Sequence, residues 1–322
     1  LIVLLAAGAF FALKRDDIPY ETLAAKYETG ASRYVDLPGG IHMHYRDEGA
    51  AQSPATPTVL LVHGFAASLQ TWDAWVPKLG AQYRVVSIDL PGHGLTRAPA
   101  GYRASIEAFR DAVFDFTQAQ HISRFTIVGN SMGGDVAWEY ALAHPEQLEG
   151  LILVDAAGWP HPDEGALNTS PTMKLLRDPT LGPILMHLDN TRAFREGLQA
   201  AFADPSKAND AMVTRYVDMS RAPGHREILL QLQTEFGHRR DASDAVLAAI
   251  NTPTLILWGR QDHLIPVADA ERFHSAIHGS EVKVYDNSGH LPQEEVSDDS
   301  AATVMDFLHG LNTRPGPATL SK

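Results

Sequence analysis

The sequence predicts an α/β protein: a mostly parallel, eight-stranded sheet with helices on both faces and a helical insertion late in the chain. Three observations predict it. Wholly apolar runs such as Thr58-Val-Leu-Leu-Val62 and Leu151-Ile-Leu-Val154 have the composition of strands buried on both faces. These runs alternate with helix-length stretches, as parallel strands joined by crossovers must. From Gly158 to about Arg240 the strand pattern stops and amphipathic helical stretches replace it.

In chain order, Leu1–Leu13 is an unbroken apolar run followed by Lys14-Arg15-Asp16-Asp17. It is shorter than the about 20 residues a helix needs to cross a bilayer. It reads as what remains of a signal peptide or signal anchor (residues 1–15), with a buried or swapped core helix as the alternative. Residues 16–32 form a polar, partly helical lead-in. Arg33–Asp36 and Ile41–Arg46 flank Leu37-Pro-Gly-Gly40 and read as a hairpin. His42 and His44 fall on one face of its second strand, expected to be an edge strand with both histidines toward solvent.

After a Pro-rich loop at 50–57 come strand 58–62, a helix over 69–79, strand 83–88, a helix over 105–119 and strand 124–128. A helix over 135–144 and strand 151–154 complete the first part of a core spanning 16–157. The insertion, 158–240, carries helices at 190–202, 206–220 and 225–236, broken at Asp204-Pro205 and Pro223-Gly224. Its apolar residues, among them Met173, Leu176, Ile184 and Phe194, fill the space beneath it or line a pocket. The core resumes over 241–312 with strands 254–258 and 282–285 and a helix over 297–310. A tail, 313–322, is expected to be disordered.

Composition narrows the chemistry. A net charge of −13 over 322 residues opposes nucleic-acid binding, which needs a basic surface. The absence of cysteine excludes disulfides, thiolate metal sites and a cysteine nucleophile. The fifteen histidines are scattered rather than set at ligand spacing, so neither a metal nor a cofactor is expected.

The chemistry centres on Gly129-Asn130-Ser131-Met132-Gly133-Gly134, which joins an apolar strand to a helix. Glycines two before and two after the serine allow a turn so sharp that the hydroxyl stands clear of the sheet. A serine hydroxyl is a weak nucleophile until a base takes its proton, and that base needs an anion fixing its tautomer. His290 and Asp262 supply both, and each, like Ser131, lies just past a predicted strand on one rim of the sheet. Asp155 also ends a strand and competes with Asp262. Asp89, in Asp89-Leu-Pro-Gly-His-Gly94, reads as turn chemistry, and His63 and His93 read as loop braces. An oxyanion hole needs two N–H donors aimed at one point, and the amides of Met132 and Phe65 are the candidates.

As an ordered set, His63-Gly-Phe65, Asp89–Gly94, Gly129–Gly134, Gly259-Arg-Gln-Asp262 and Gly289-His290 resemble the α/β-hydrolase fold superfamily over residues 33–311. Asp17-Ile-Pro-Tyr-Glu-Thr-Leu23 and Arg221-Ala-Pro-Gly-His-Arg226 are similar to bacterial membrane-associated lipases and esterases with a helical cap. The resemblance implies a serine hydrolase of lipophilic carboxylic esters, of the cell envelope or secreted, with the apolar N-terminus as a membrane contact. Two alternatives stay open. Hydrolases that cleave carbon–carbon bonds in aromatic ring-fission products share Gly-Asn-Ser-Met-Gly-Gly, but they usually carry a glycine-rich His-Gly-x-Gly-Pro-Gly loop and a tryptophan after the histidine. Here Phe65-Ala-Ala-Ser68 and Leu291 stand there, which favours esters. The other alternative is a binding protein on the same fold without catalysis.

Overall fold

The computed structural model describes residues 12–49, 56–161, 180–235 and 240–313, with Leu175 and Asp178. The expectations for residues 1–11, for Met173 and Leu176, and for the tail beyond Thr313 lie outside the described residues. Among the described residues no helix is long and apolar enough to cross a membrane.

Eight strands form one open sheet: β1 (Ser32–Leu37), β2 (Ile41–Gly49), β3 (Thr58–Val62), β4 (Arg84–Ile88), β5 (Phe125–Asn130), β6 (Leu148–Val154), β7 (Thr254–Gly259) and β8 (Glu281–Tyr285). Their order is β1-β2-β4-β3-β5-β6-β7-β8. The first two pairings, β1/β2 and β2/β4, are antiparallel and the rest parallel. Among the described residues the helices are α1 (Tyr20–Tyr27), α2 (Val76–Leu79), α3 (Ile106–Ala119), α4 (Met132–Ala143), α5 (Gly182–Leu185), α6 (Thr191–Ala201), α7 (Asp210–Ser220), α8 (His225–Glu235), α9 (Asp244–Leu247), α10 (Ala268–Ala276), α11 (Pro292–Glu295) and α12 (Ser297–Thr313).

Strand β3 shows why wholly apolar runs fold this way. Leu60 and Val62 point into one core with Phe109, Phe116 and Trp138. Val59 and Leu61 point into the other, with Trp72, Trp75 and Phe307. Alternate side chains leave a strand on opposite faces, so covering both faces requires every position to be apolar. Helix α3 starts where Ser105 Oγ accepts the amide of Ala108 at 3.1 Å, a cap worth about 1 kcal/mol. Parallel register sets Val62 beside Gly129 and Asn130 beside Val154. Val154 in turn pairs with Leu257, so the strands' C-terminal ends form one rim.

Two local expectations are corrected. The helix over 69–79 is instead a 3-10 turn at Leu69–Trp72 followed by α2. Pro77 has no N–H to give, and its ring opposes the carbonyl four residues back, so the helix restarts around it. The other concerns the hairpin histidines. Strand β2 is not an edge, since β1 and β4 flank it. His42 is partly exposed beside Asp36, but His44 is wholly buried and its Nδ1 lies 2.7 Å from Asp89 Oδ2. Burial pushes the Asp89 carboxyl up. The His44 contact and the amide of Leu95 outweigh it and hold the group below its ordinary range.

The turn at Ser131 leaves no room for side chains around it. A Cβ on Gly129 would lie 2.0 Å from the Gly133 carbonyl oxygen, and one on Gly133 would lie 2.3 Å from that of Val62. Both obstacles are backbone in packed elements and cannot swing aside. Gly129→Ala is therefore expected to destabilise the fold by about 3 kcal/mol or more. A denaturant midpoint within error of the wild type would show that the turn relaxes.

Candidate active site

Ser131 follows β5 and caps α4 with φ 56° and ψ −120°, a left-handed backbone unusual for a residue with a Cβ. Its amide donates to Val154 O at 3.0 Å, and its carbonyl accepts from Gly134 and Ala157. The strained turn is thus held from β6 as well as from its own helix. Met132 is the first residue of α4, so its amide sits at the positive end of the helix dipole.

Phe65 lies in the loop after β3. A Cβ on Gly64 would stand 3.1 Å from Ser131 Cβ, so that loop lies directly against the serine. His63 braces the loop: its Nδ1 faces Gly64 O at 2.7 Å, and its Nε2 accepts the amide of Leu90 at 3.0 Å. Burial holds the His63 imidazole below its ordinary pKa, which suits a neutral ring with one donor and one acceptor. The Phe65 ring packs beneath Met186 and Leu229 of the insertion.

His290 and Asp262, distant in sequence, meet. His290 Nδ1 donates to Asp262 Oδ2 at 2.7 Å, and the Asp262 side chain is fully buried. Asp262 Oδ1 accepts the amides of Leu264 and Ile265 at 2.7 and 3.0 Å. The acid is therefore fixed by its own loop and offers one oxygen to the imidazole. His290 is tied to the serine's neighbour, because Asn130 Nδ2 donates both to Val154 O and to His290 O, each at 3.1 Å. Ser131, Asp262 and His290 thus occupy one rim, with Gly64-Phe65 and Met132 beside the serine.

Asp155, the competing acid, is wholly buried at the end of β6 with φ 43°. Its Oδ1 accepts the amide of Gly259 at 2.9 Å, so the residue ties β6 to the start of the Asp262 loop. Donor atoms of Asp155, Asp262 and His290 lie within 4.8 Å of one another, but the imidazole donates to Asp262. Burial and the neighbouring Asp262 push the Asp155 carboxyl well above its ordinary 3.8.

This has a consequence for stability. In the unfolded chain Asp155 ionises from its ordinary value upward, while in the folded chain it keeps its proton. Above about pH 4 the unfolded state therefore binds fewer protons, and stability falls as pH rises towards the folded-state value. Asp155→Asn removes that loss. Its stability relative to wild type is expected to rise as the pH climbs above about 4 in urea titrations. A pH-independent difference would show that Asp155 titrates normally.

Glu295 escaped sequence reasoning. Its Oε1 accepts the amide of Gly289 at 2.6 Å and its Oε2 that of Ala203 at 2.8 Å. The amide of His290 donates to Ala201 O at 2.7 Å, so the histidine loop is fastened to the end of α6. A glutamate on a short helix five residues past a histidine has no distinguishing pattern. Only the folded backbone shows what it holds.

Comparison with known proteins agrees with the fold. A family model described as alpha/beta hydrolase fold matches residues 57–296. The chain is 28% identical to monoacylglycerol lipase abhd6-B of Xenopus laevis over 80% of this chain and 77% of that protein. It is 27% identical to 2-hydroxy-6-oxo-2,4-heptadienoate hydrolase of Pseudomonas putida over 84% of this chain and 94% of that one. Among solved structures, a membrane phospholipase A described as a bacterial virulence factor superposes with a TM-score of 0.74 at 26% identity, covering 97% of both chains.

Proposed function

This chain belongs to the α/β-hydrolase fold family, and from that premise we propose that it is a serine hydrolase of lipophilic carboxylic esters, acting through an acyl-enzyme. The observation that carries the reading is the 2.7 Å bond from His290 Nδ1 to the buried Asp262, on the rim where the strained Ser131 stands. Asp262 holds the imidazole with Nε2 unprotonated and directed away from the acid. Ser131 Oγ attacks the ester carbonyl while Nε2 takes its proton. The amides of Phe65 and Met132 hold the oxyanion. Collapse of the tetrahedral intermediate expels the alcohol, protonated by His290, and water then releases the acid by the same steps.

The helices within 158–240 form a cap over this rim. The packing of Met186 and Leu229 on Phe65 supports an apolar wall for an acyl chain. The similarity to a membrane phospholipase A and to a monoacylglycerol lipase supports a lipid ester as substrate and the membrane as its place, with the apolar run 1–13 as contact.

Turnover of p-nitrophenyl esters across a series of acyl lengths tests the reading, with fluorophosphonate labelling of the serine alongside. Activity on at least one ester is expected, rising with acyl length. Absence of turnover on every ester would remove it, and absence of labelling as well would leave a binding protein. The shared Gly-Asn-Ser-Met-Gly-Gly turn and the Pseudomonas putida relative favour a second reading, carbon–carbon hydrolysis of a ring-fission dienoate. Bleaching of such a dienoate faster than any ester would reverse the ranking. Phe65-Ala-Ala in the loop and Leu291 after the histidine weigh against it.

A further inference from the structure

Five large apolar side chains are exposed among the described residues: Leu13, Leu175, Leu181, Ile184 and Val282. Val282 stands alone on β8, at the sheet's edge. The other four belong to two segments that hydrogen bonds join. The carbonyl of Leu175 accepts from Asp178, and that of Asp178 accepts from Gly182, the first residue of α5. The Ile184 carbonyl accepts from His187, whose own carbonyl accepts from Arg15. Lys14 and Leu188 form a further antiparallel bridge. Leu13 is thereby held next to the segment that exposes Leu181 and Ile184.

We propose that this face, built from Leu13, Leu181 and Ile184, lies against a zwitterionic lipid bilayer. The inference rests on the reading of the N-terminal run as a membrane contact and adds a second point of attachment and an orientation. The chain itself points to that occupant. In sequence, the twelve residues before Leu13 are all apolar or glycine. Among the described residues of the N-terminal segment of this face, Lys14 pairs with Asp16 and Arg15 with Asp189, both at 2.8 Å. The whole chain carries −13. An anionic surface therefore gains little here, and apolar side chains must supply the attachment.

The same short segment looks both ways. Leu181 and Ile184 face solvent, whereas Leu185 and Met186 pack toward Phe65 beside the serine. A lipid leaving the bilayer at this face would meet the apolar wall of the site within one helical turn.

The chain has no cysteine, so a single label can be placed at will. Full-length Ile184→Cys and Val282→Cys, each carrying an environment-sensitive fluorophore, would be mixed with phosphatidylcholine vesicles. Emission at 184 is expected to shift to the blue, to be quenched by a bilayer-embedded quencher, and to resist added salt. Emission at 282 should not change. No response at 184, or equal responses at both positions, would overturn the proposal. A shift at 184 that grows with protein concentration without vesicles would overturn it in favour of a second copy of the chain.

The Leu181→Ser/Ile184→Ser double variant is expected to lose about tenfold in hydrolysis of esters dissolved in vesicles while keeping activity on a soluble short-chain ester. Equal loss on both would count against the face. The vesicle shift needs no catalysis. A chain inactive on every ester that still shifts at 184 would sink the esterase reading and leave this one standing.

Discussion

Ser131→Ala is expected to lower kcat on the best ester by a factor on the order of 10⁴ to 10⁶. The variant loses only a hydroxyl. Alanine has the same Cβ as serine, so the backbone strain at φ 56° and the contacts of the turn are unchanged. The amides of Phe65 and Met132 and the cap remain, so a residual rate above that of water should survive. Circular dichroism should match the wild type, and fluorophosphonate labelling should vanish. A folded variant that keeps more than a tenth of its activity would assign the nucleophile elsewhere.

Asp262→Asn is expected to cost about 10⁴ in kcat with little loss of fold. Asparagine can keep its Oδ1 on the amides of Leu264 and Ile265, as the aspartate does. Its amide nitrogen then faces His290 Nδ1 where a carboxylate oxygen accepted a hydrogen bond. Two donors cannot face each other, so the imidazole shifts its proton to Nε2, the nitrogen that must accept from Ser131. Asp155 supplies a control. With the Asp262 charge removed, one of the causes that push the Asp155 carboxyl up is gone, while its burial remains. A loss of less than about tenfold in Asp262→Asn, with a steep loss in Asp155→Asn, would transfer the acid's role to Asp155.

Much of this was legible before the fold was known, and for a physical reason. Strands buried on both faces must be apolar at every position, so β3, β5, β6 and β7 stand out of the sequence. In a parallel sheet the loops after those strands share a rim, which brought Ser131, Asp262 and Phe65 together on paper, and His290 with them from beyond β8. What stayed hidden depends on packing between distant segments. His44 alternates as a solvent-facing residue would, and only the approach of Asp89 makes its burial tolerable. The upward push on the Asp155 carboxyl follows from its burial and from a second carboxylate that arrives over a hundred residues later. Pro77 was different, because its effect on the helix over 69–79 was readable from its position alone.

The attachment of the histidine loop to α6 bears on how a substrate gets in. His290 hangs by its amide from Ala201, and Glu295 grips Gly289 and Ala203 together. A hinge at that end of the insertion would drag the imidazole off Asp262 each time it opened. An insertion that opened while keeping the His290–Asp262 bond would have to do so away from Ala201 and Ala203.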